Sequence, residues 1–332
     1  MKWETEFTDK VVVVTGASAG LGRSIAREFG KQKAKVVLLA RGMDGLLAAQ
    51  KEIESMGGKA LPVKVDVADP EQVENAATLA EKTFGPIDVW VNNAMNSVFA
   101  PVKDVTPAEI KRITEVTYLG QVYGTMSALK RMRLRDKGSI VLVGSALAYR
   151  GIPLQSAYCG SKHAVQGFFD SLKTELLHEK SNIKLSMVQL PAMNTTQFGW
   201  VLSKLPNKPR PMGKIYQPEV AARAIVFTAA TRRRGFWVGY TTYEAILGNR
   251  LLPWYADWVL SRNGYKGQQT NEPVSPDRKN NVWTPVPGDH GAHGPFDSLS
   301  HNRSFTVWLS MNRGLAVFVG IVLLAILLIL IF

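Results

Sequence analysis

Three residues near the middle of the chain have the types and spacing of a proton-transfer site. Tyr158 and Lys162 lie four positions apart in the segment SAYCGSKHAV, so in a helix they would share one face. Ser145 ends an apolar, strand-like run upstream of them. A free tyrosine has a pKa of about 10, and a neighbouring ammonium lowers it by stabilising the tyrosinate. The set therefore predicts an acid–base pair, although three ordinary polar residues near a helix start are the alternative.

A glycine-rich turn near the N-terminus indicates a site for a phosphorylated nucleotide. In VVVVTGASAGLGRSIAREF, Gly16, Gly20 and Gly22 lie between the first apolar run and the first helical stretch. Glycines allow the backbone to approach a pyrophosphate closely, and the helix N-terminus that follows offers N–H donors. Ser18 and Leu21 belong to the same turn, and we expect them among the cofactor contacts.

The end of the second apolar run indicates which nucleotide would bind. NAD-selective sites usually place an acid there to hold the ribose 2′-hydroxyl, whereas this chain has Ala40 and Arg41. An arginine can pair with a 2′-phosphate bidentately, so the sequence favours NADP(H) as cofactor. A surface arginine at a strand end is the alternative. Asp66, with Val67 beside it, ends the third run and is placed to accept a hydrogen bond from the adenine amino group.

Short apolar runs alternate with longer helical stretches through the first 240 residues. The runs are apolar throughout, as in strands that are covered on both faces. This alternation predicts the α/β class with a doubly wound, Rossmann-type parallel sheet. The expected helices span residues 20–32, 43–56, 70–84, 107–134, 156–180 and 217–231.

Four motifs in order resemble the short-chain dehydrogenase/reductase family. They are the TGASAGLG turn, the NNA of Asn92–Ala94, Ser145, and Tyr158 followed four residues later by Lys162. The resemblance covers about residues 8–240. It implies a single domain with about seven strands, and hydride transfer between a nicotinamide and a carbonyl or alcohol. It also implies a homodimer or homotetramer, in which helices 107–134 and 156–180 pair across a dimer interface.

The resemblance also implies a role for each site residue. Tyr158 would be the general acid or base, Ser145 would hydrogen-bond the substrate oxygen, and Lys162 would also reach the nicotinamide ribose. Thr195 stands where the family contacts the nicotinamide carboxamide. Further cofactor contacts are expected at Asn93, Ala94 and Pro191.

Three departures from the family pattern leave a second function open. Thr117 replaces the asparagine that supports a proton relay, and its hydroxyl could hold a water there instead. Met95 and Ala192 replace glycines of the family motifs. The leading interpretation is an active NADP(H)-dependent oxidoreductase. The alternative is a catalytically impaired nucleotide-binding scaffold or sensor of the same fold at the membrane.

The C-terminal third divides into three parts. Residues 241–263 are aromatic and apolar with basic ends, and predict a helical extension that lies on a membrane, closes a pocket or simply packs. Residues 264–313 are polar and rich in Gly and Pro, and predict a linker without a core of its own. Residues 314–332 carry no charge and would extend roughly 28 Å as a helix, which predicts a single-pass anchor. The positive-inside rule then places the bulk of the chain in the cytoplasm.

Charge and composition restrict the partners. The net charge is +13, and attraction to anionic lipid explains it more economically than nucleic acid, which we do not expect as a partner. One cysteine, Cys159, excludes a disulfide framework, and the histidines of the linker show no metal-site spacing, so no metal is expected. The apolar residues of 195–215 resemble a substrate lid beside an anchor, so we expect a lipophilic carbonyl or alcohol as substrate.

Overall fold

Seven parallel strands form the central sheet of the computed structural model, which describes residues 5–314 of the chain. Their order across the sheet is β7-β6-β5-β4-β1-β2-β3, so the order reverses between β1 and β4. The expected α/β class and Rossmann-type sheet are confirmed. The strands are β1 (Val11–Thr15), β2 (Lys35–Ala40), β3 (Lys59–Lys64), β4 (Ile87–Asn92), β5 (Ser139–Val143), β6 (Lys184–Gln189) and β7 (Gly235–Trp237).

The central strands are apolar because both faces of the sheet are covered there, whereas the edge strand β3 is only partly buried. In β1, Val12 and Val14 pack into the core on one face, while Val11 and Val13 pack into the core on the other. Successive side chains of a strand point to opposite faces, so each valine is buried on its own side. The pairing of β1 with β2 is in register from Val11 opposite Lys35 onward.

Eleven helices are present in the described part of the chain. Asp69 caps one of them by accepting from the backbone N–H groups of the first turn, and Thr106 and Glu109 form a capping box on another. The helices are α1 (Gly20–Lys31), α2 (Met43–Ser55), α3 (Pro70–Phe84), α4 (Pro107–Thr114), α5 (Gly120–Met132), α6 (Ser156–His178), α7 (Gln197–Trp200), α8 (Pro218–Ala230), α9 (Tyr240–Leu251), α10 (Pro253–Gly267) and α11 (Phe305–Met311).

Two of the expected helices are interrupted. The stretch 107–134 contains a π-helical turn at Glu115–Leu119 between α4 and α5. The aromatic stretch 241–263 is divided at Pro253, which begins α10, because proline has no N–H to donate within a continuing helix. The short α7 lies in the predicted lid.

The segment that follows α10 is packed against the domain. We expected a linker without a core of its own here. Instead, residues 269–273 pair antiparallel with residues 207–209, and Val282 and Phe296 are buried. Val307 on α11 joins the core on the α1 side of the sheet. The scattered apolar residues of this polar segment give it its contacts with the domain. Residues 277–294 cross the carboxyl edge of the sheet and are called the C-terminal strap below.

Within residues 5–314, no helix has both the length and the apolar character that a membrane anchor needs to cross a bilayer. The predicted anchor at 314–332 lies beyond the described residues from residue 315 onward. The boundaries at residues 240, 263 and 313 remain predictions.

Candidate active site

A cavity of about 780 Å³ opens at the carboxyl edge of the sheet. It lies where the strand order reverses between β1 and β4, the place at which open α/β sheets bind ligands. All but one of the expected site residues line it. They are Gly16, Ser18, Gly20, Leu21, Gly22, Arg41, Asp66, Val67, Asn93, Ala94, Ser145, Tyr158, Lys162, Pro191 and Thr195. The exception is Thr117.

The glycine turn forms a cradle that only glycines fit. Gly16 and Gly20 have φ of +69° and +57°, a backbone conformation that favours glycine. A Cβ added at Gly22 would lie 2.0 Å from the carbonyl oxygen of Gly16. Helix α1 has no side-chain cap and no acid in its own first turn, and its positive end borders the cavity. These features fit the pyrophosphate of a dinucleotide.

The loop after β4 is fixed to this turn by a buried threonine. The Oγ1 atom of Thr15 accepts hydrogen bonds of 2.9 Å from the backbone N–H groups of both Asn93 and Ala94. The side-chain amide of Asn93 donates to the carbonyl of Thr15, also at 2.9 Å. The expected NNA motif therefore holds the first and fourth strands together at the floor of the cavity.

Ser145, Tyr158 and Lys162 come together above this floor. Ser145 follows β5, and the other two share one face of α6 near its N-terminus. A hydrogen bond links Ser145 and Tyr158. The Lys162 Nζ atom is buried, lies 5.6 Å from the centroid of the Tyr158 ring, and donates a 2.7 Å hydrogen bond to the carbonyl of Val143. The arrangement places a proton donor, a hydrogen-bonding hydroxyl and an amine in one cavity.

The protonation of this set differs from the sequence-based expectation. Burial raises the pKa of the half-buried Tyr158 above its usual range, and the hydrogen bond with Ser145 acts in the opposite direction. Burial also lowers the pKa of Lys162 to about 7, because the amine has no carboxylate partner among the described residues. We expected an ammonium that lowers the tyrosine pKa. Desolvation is instead the largest influence on both groups.

Thr117 lies outside the cavity and supports a loop. Its side chain is fully buried in the π-helical turn. Its Oγ1 donates to the carbonyl of Asn96 and accepts from the N–H of the same residue, each at 2.9 Å. We expected this hydroxyl to hold a water of a proton relay, but its proton is used by the backbone of Asn96. The geometry assigns Thr117 a structural contact.

Arg41 and Asp66, which the sequence predicts to contact the nucleotide, are engaged by groups that the sequence did not indicate. Arg41 donates to the backbone carbonyls of Asn281, Val282 and Trp283 in the strap. Asp66 forms an ion pair with Arg112, on α4. Sequence reasoning missed the strap and Arg112. The only signal was a pair of large apolar residues, Val282 and Trp283, in an otherwise polar segment.

The predicted lid is packed against neighbouring elements. Phe198, on α7, makes edge-on ring contacts with Phe99 and Phe296 at centroid distances of 6.1 and 5.7 Å. Val201 and Leu205 are buried in the same apolar cluster. Thr195 lines the cavity and forms a backbone bridge to His293 of the strap. The strap and the lid thus pack together on one side of the site.

The cavity continues past Tyr158 into a largely apolar end. This end is formed by α9, α10 and the loop before residue 213. Its lining includes Ile152, Met212, Ala245, Leu252, Tyr255, Ala256, Val259 and Leu260. Five polar residues, Arg150, Gln155, Thr241, Glu244 and Asn249, also line it. Across residues 5–314, no three His, Cys, Asp or Glu side chains are grouped closely enough to hold a metal ion.

Known proteins are similar to this chain in sequence and in fold. Residues 10–204 match the family described as short chain dehydrogenase. The chain is 33% identical over 284 residues to the uncharacterized oxidoreductase YxnA of Bacillus subtilis strain 168, covering 85% of this chain and 80% of that protein. It is 34% identical over 223 residues to 3-ketodihydrosphingosine reductase of Bos taurus, covering 65% and 67%.

A solved structure of a short-chain oxidoreductase has a similar fold. The fold superimposes with a TM-score of 0.60 on a metagenomic short-chain oxidoreductase in complex with NADP, at 26% identity, over 70% of this chain and 98% of that one. The family match spans more than half of the sequence and includes the glycine turn, Ser145, Tyr158 and Lys162. The chain therefore belongs to the short-chain dehydrogenase family.

Proposed function

We propose that the protein is an NADP(H)-dependent oxidoreductase that interconverts a carbonyl and an alcohol. The observation that carries the proposal is that Ser145, Tyr158 and Lys162 share one cavity with the glycine turn. A bound nicotinamide supplies or accepts the hydride. The protein's own residues provide binding, orientation and the proton.

In the direction of reduction, the Tyr158 hydroxyl donates its proton to the carbonyl oxygen while the carbonyl carbon accepts the hydride. The products are an alcohol and the oxidised nucleotide, so atoms and charge balance. The Ser145 hydroxyl donates to the same oxygen and stabilises its developing negative charge. Lys162, when protonated, stabilises the tyrosinate that remains. Oxidation of the alcohol is the reverse sequence.

The cofactor assignment rests on the cradle and on Arg41. The glycine turn and the N-terminus of α1 suit the pyrophosphate. Arg41 lines the cavity at the end of β2 in the position where an acid would repel a 2′-phosphate. The NADP-bound structural neighbour supports the same cofactor class. The remaining contacts are proposed at the residues named above as lining this half of the cavity.

The apolar end of the cavity supports a lipophilic substrate. Leu252, Ala256 and Val259 line it beyond Tyr158. The similarity to a 3-ketodihydrosphingosine reductase supports a ketone on a long aliphatic chain. Polar residues at the walls of this end, among them Thr241 and Asn249, could hydrogen-bond a polar group of such a substrate, while the apolar residues would cover its aliphatic chain.

We also propose that the protein is a single-pass membrane protein whose domain faces the cytoplasm. The uncharged stretch 314–332 supports this, together with the large exposed aromatic residues of α10. Trp254 and Trp258 are 67% and 48% exposed, and aromatic side chains of this kind prefer the bilayer interface. Both lie on the helix that forms the apolar end of the cavity.

A homodimer or homotetramer remains part of the proposal. Exposed apolar residues on the two long helical stretches support it, among them Met126 on α5 and Leu177 on α6, which are 59% and 65% exposed. Light scattering of the protein in detergent, with Met126→Glu as the disrupting variant, tests this assignment.

The activity is tested with the full chain purified in detergent. NADPH oxidation should be observed with long-chain aliphatic ketones and should exceed that with small polar ketones. Tyr158→Phe should reduce kcat by about 10²- to 10⁴-fold without weakening nucleotide binding. Tyr149→Phe is the matched control, because Tyr149 donates to Gln166 away from the cavity. Equal activity of Tyr158→Phe and wild type would contradict the proposed role.

The raised pKa of Tyr158 favours a second candidate function, that of a nucleotide-binding scaffold or sensor. Tyrosinate absorbance, titrated against pH with and without NADP⁺, distinguishes the two. An oxidoreductase should show a tyrosinate well below pH 10 in the complex, absent from Tyr158→Phe. A complex that binds NADP⁺ but shows no such difference would support the scaffold.

A further inference from the structure

The C-terminal strap touches the proposed nucleotide site through its backbone carbonyls. Arg41 donates through Nη1 to the carbonyls of Val282 and Trp283, at 3.2 and 3.1 Å, and through Nη2 to that of Asn281. A guanidinium has five N–H donors. The strap takes three of them and leaves two, one on Nε and one on Nη2. Within residues 5–314, Nε of Arg41 makes no hydrogen bond.

The middle of the strap is held by more than Arg41. The carbonyl of Val282 also accepts from the Asn96 side chain and from Nε of Arg112, both at 3.1 Å. The Val282 side chain is fully buried. The Val282 carbonyl accepts three hydrogen bonds and the Val282 side chain is buried. Together these contacts fix the position of the strap over the end of β2.

The far end of the strap is held by a second arginine. Asp289 forms an ion pair with Arg23 on α1, whose side chain is 3% exposed and also pairs with Glu52. The Gly291 carbonyl accepts from the N–H of Gly20, at the first turn of α1. Asp289 and Val282 therefore anchor the strap at opposite ends of the nucleotide half of the cavity.

We propose that the strap is part of the 2′-phosphate subsite and determines nucleotide selectivity. Its carbonyls hold Arg41 so that the guanidinium and its two remaining N–H donors are preorganised for a contact with a 2′-phosphate. The strap orients this side chain, and Val282 and Asp289 are positioning residues. The inference rests on the proposed NADP(H) function and extends it from Arg41 to a segment about 240 residues away in sequence.

Calorimetric titration of the full chain in detergent tests this proposal without turnover. The probes are 2′,5′-ADP and 5′-AMP, which differ by the 2′-phosphate alone. Wild type should prefer 2′,5′-ADP. Val282→Ala and Asp289→Asn should each reduce that preference about five- to tenfold, as expected when an oriented charge-assisted contact becomes disordered. Affinity for 5′-AMP should stay within about twofold, because the glycine turn is unchanged.

Two further variants separate this inference from the proposed function. Asp277→Asn makes the same change as Asp289→Asn at an exposed strap position that has no ion pair within residues 5–314, and should leave the preference unaltered. Arg41→Ala should abolish the preference. If Arg41→Ala has no effect, the proposed NADP(H) selectivity itself fails.

Three other results would overturn the role of the strap while leaving that function intact. One is loss of the preference in Arg41→Ala with full preference in both Val282→Ala and Asp289→Asn. The second is tighter binding of both nucleotides by the strap variants, which would mean that the strap obstructs the site. The third is a loss of 5′-AMP and 2′,5′-ADP affinity in equal proportion, since selectivity would then be independent of the strap.

Discussion

The buried amine of Lys162 donates to the backbone carbonyl of Val143 at 2.7 Å, and burial lowers the pKa of this lysine to about 7. In the unfolded chain its pKa is near 10.4. Below pH 7 the lysine is charged in both states, so the folded protein bears the full cost of burying the charge. Between pH 7 and about 10.4 the folded state loses its proton first, and this cost diminishes as the pH rises.

We therefore expect Lys162→Met to raise the free energy of unfolding of the nucleotide-free protein at both pH 6 and pH 9. The gain at pH 6 should exceed the gain at pH 9 by roughly 2 kcal/mol. The Val143 carbonyl keeps a partner in the variant, because Gln121 also donates to it at 3.2 Å. Denaturant unfolding at both pH values measures the difference. Lys103→Met, the same change at an exposed lysine, is the control. An equal effect of Lys162→Met at pH 6 and pH 9 would refute the assignment.

The glycine cradle gives a second prediction. A Cβ at Gly22 would lie 2.0 Å from the Gly16 carbonyl and 2.6 Å from the Asn93 amide nitrogen. Gly22→Ala should therefore cost about 1–3 kcal/mol of stability by overpacking and should weaken NADPH binding at least about tenfold. Thermal unfolding and fluorescence titration with NADPH provide the two measurements.

A glycine on α6 supplies the matched control for this change. Apart from the adjacent residues and the nearby backbone of α6 itself, no described atom lies within 4 Å of a Cβ added at Gly167, which is exposed in the interior of that helix. Gly167→Ala should raise stability by about 0.5–1 kcal/mol, because alanine has the higher helix propensity. NADPH binding that survives Gly22→Ala intact would mean that the cradle does not hold the nucleotide.

The sequence predicted the sheet and most of the site because their signals are local. Asp69 and Pro70 mark the start of α3, and the observed helix, Pro70–Phe84, has the predicted bounds. Tyr158 and Lys162 share a helix face because of their spacing. Such features depend on residues only a few positions apart, so a single sequence is enough to predict them.

The strap and the Asp66–Arg112 pair could not be predicted in the same way. The acceptors for Arg41 are main-chain carbonyls, which every residue possesses, so no side-chain pattern marks them. Asp66 and Arg112 are 46 positions apart and meet only after α4 is placed beside β3. The lowered pKa of Lys162 likewise follows from burial that only the fold defines. Contacts between residues far apart in sequence follow no fixed spacing, so a sequence pattern does not predict them.

Thr117 provides a third prediction, which separates a structural role from a catalytic one. Thr117→Val removes both hydrogen bonds to the Asn96 backbone and leaves a buried N–H and carbonyl without this partner. It should cost about 1–3 kcal/mol in urea unfolding. Thr117→Ser keeps the hydroxyl and should recover most of that loss, less about 1 kcal/mol for the missing methyl group.

The kinetic behaviour of these two variants completes the test. At a temperature where both remain folded, Thr117→Val and Thr117→Ser should both retain the kcat of wild type. The pH profile of Thr117→Val should also be unchanged, because the hydroxyl that it lacks contacts Asn96 and not the cavity. A lowered kcat or a shifted pH profile in Thr117→Val, with wild-type behaviour in Thr117→Ser, would restore the relay role that the sequence suggested.

The apolar end of the cavity gives the last prediction, which concerns substrate size. Ala256 lines the cavity on α10, beyond Tyr158. Ala256→Phe fills this end, so kcat/KM for a long-chain ketone should fall about tenfold or more, while that for a short ketone should change less than about threefold. Ser261→Phe adds the same ring at an exposed position of α10 that does not line the cavity, and should leave both values near those of wild type. Equal losses for long and short ketones in Ala256→Phe would show that the chain of the substrate lies elsewhere, because only a substrate that reaches α10 is sensitive to its length.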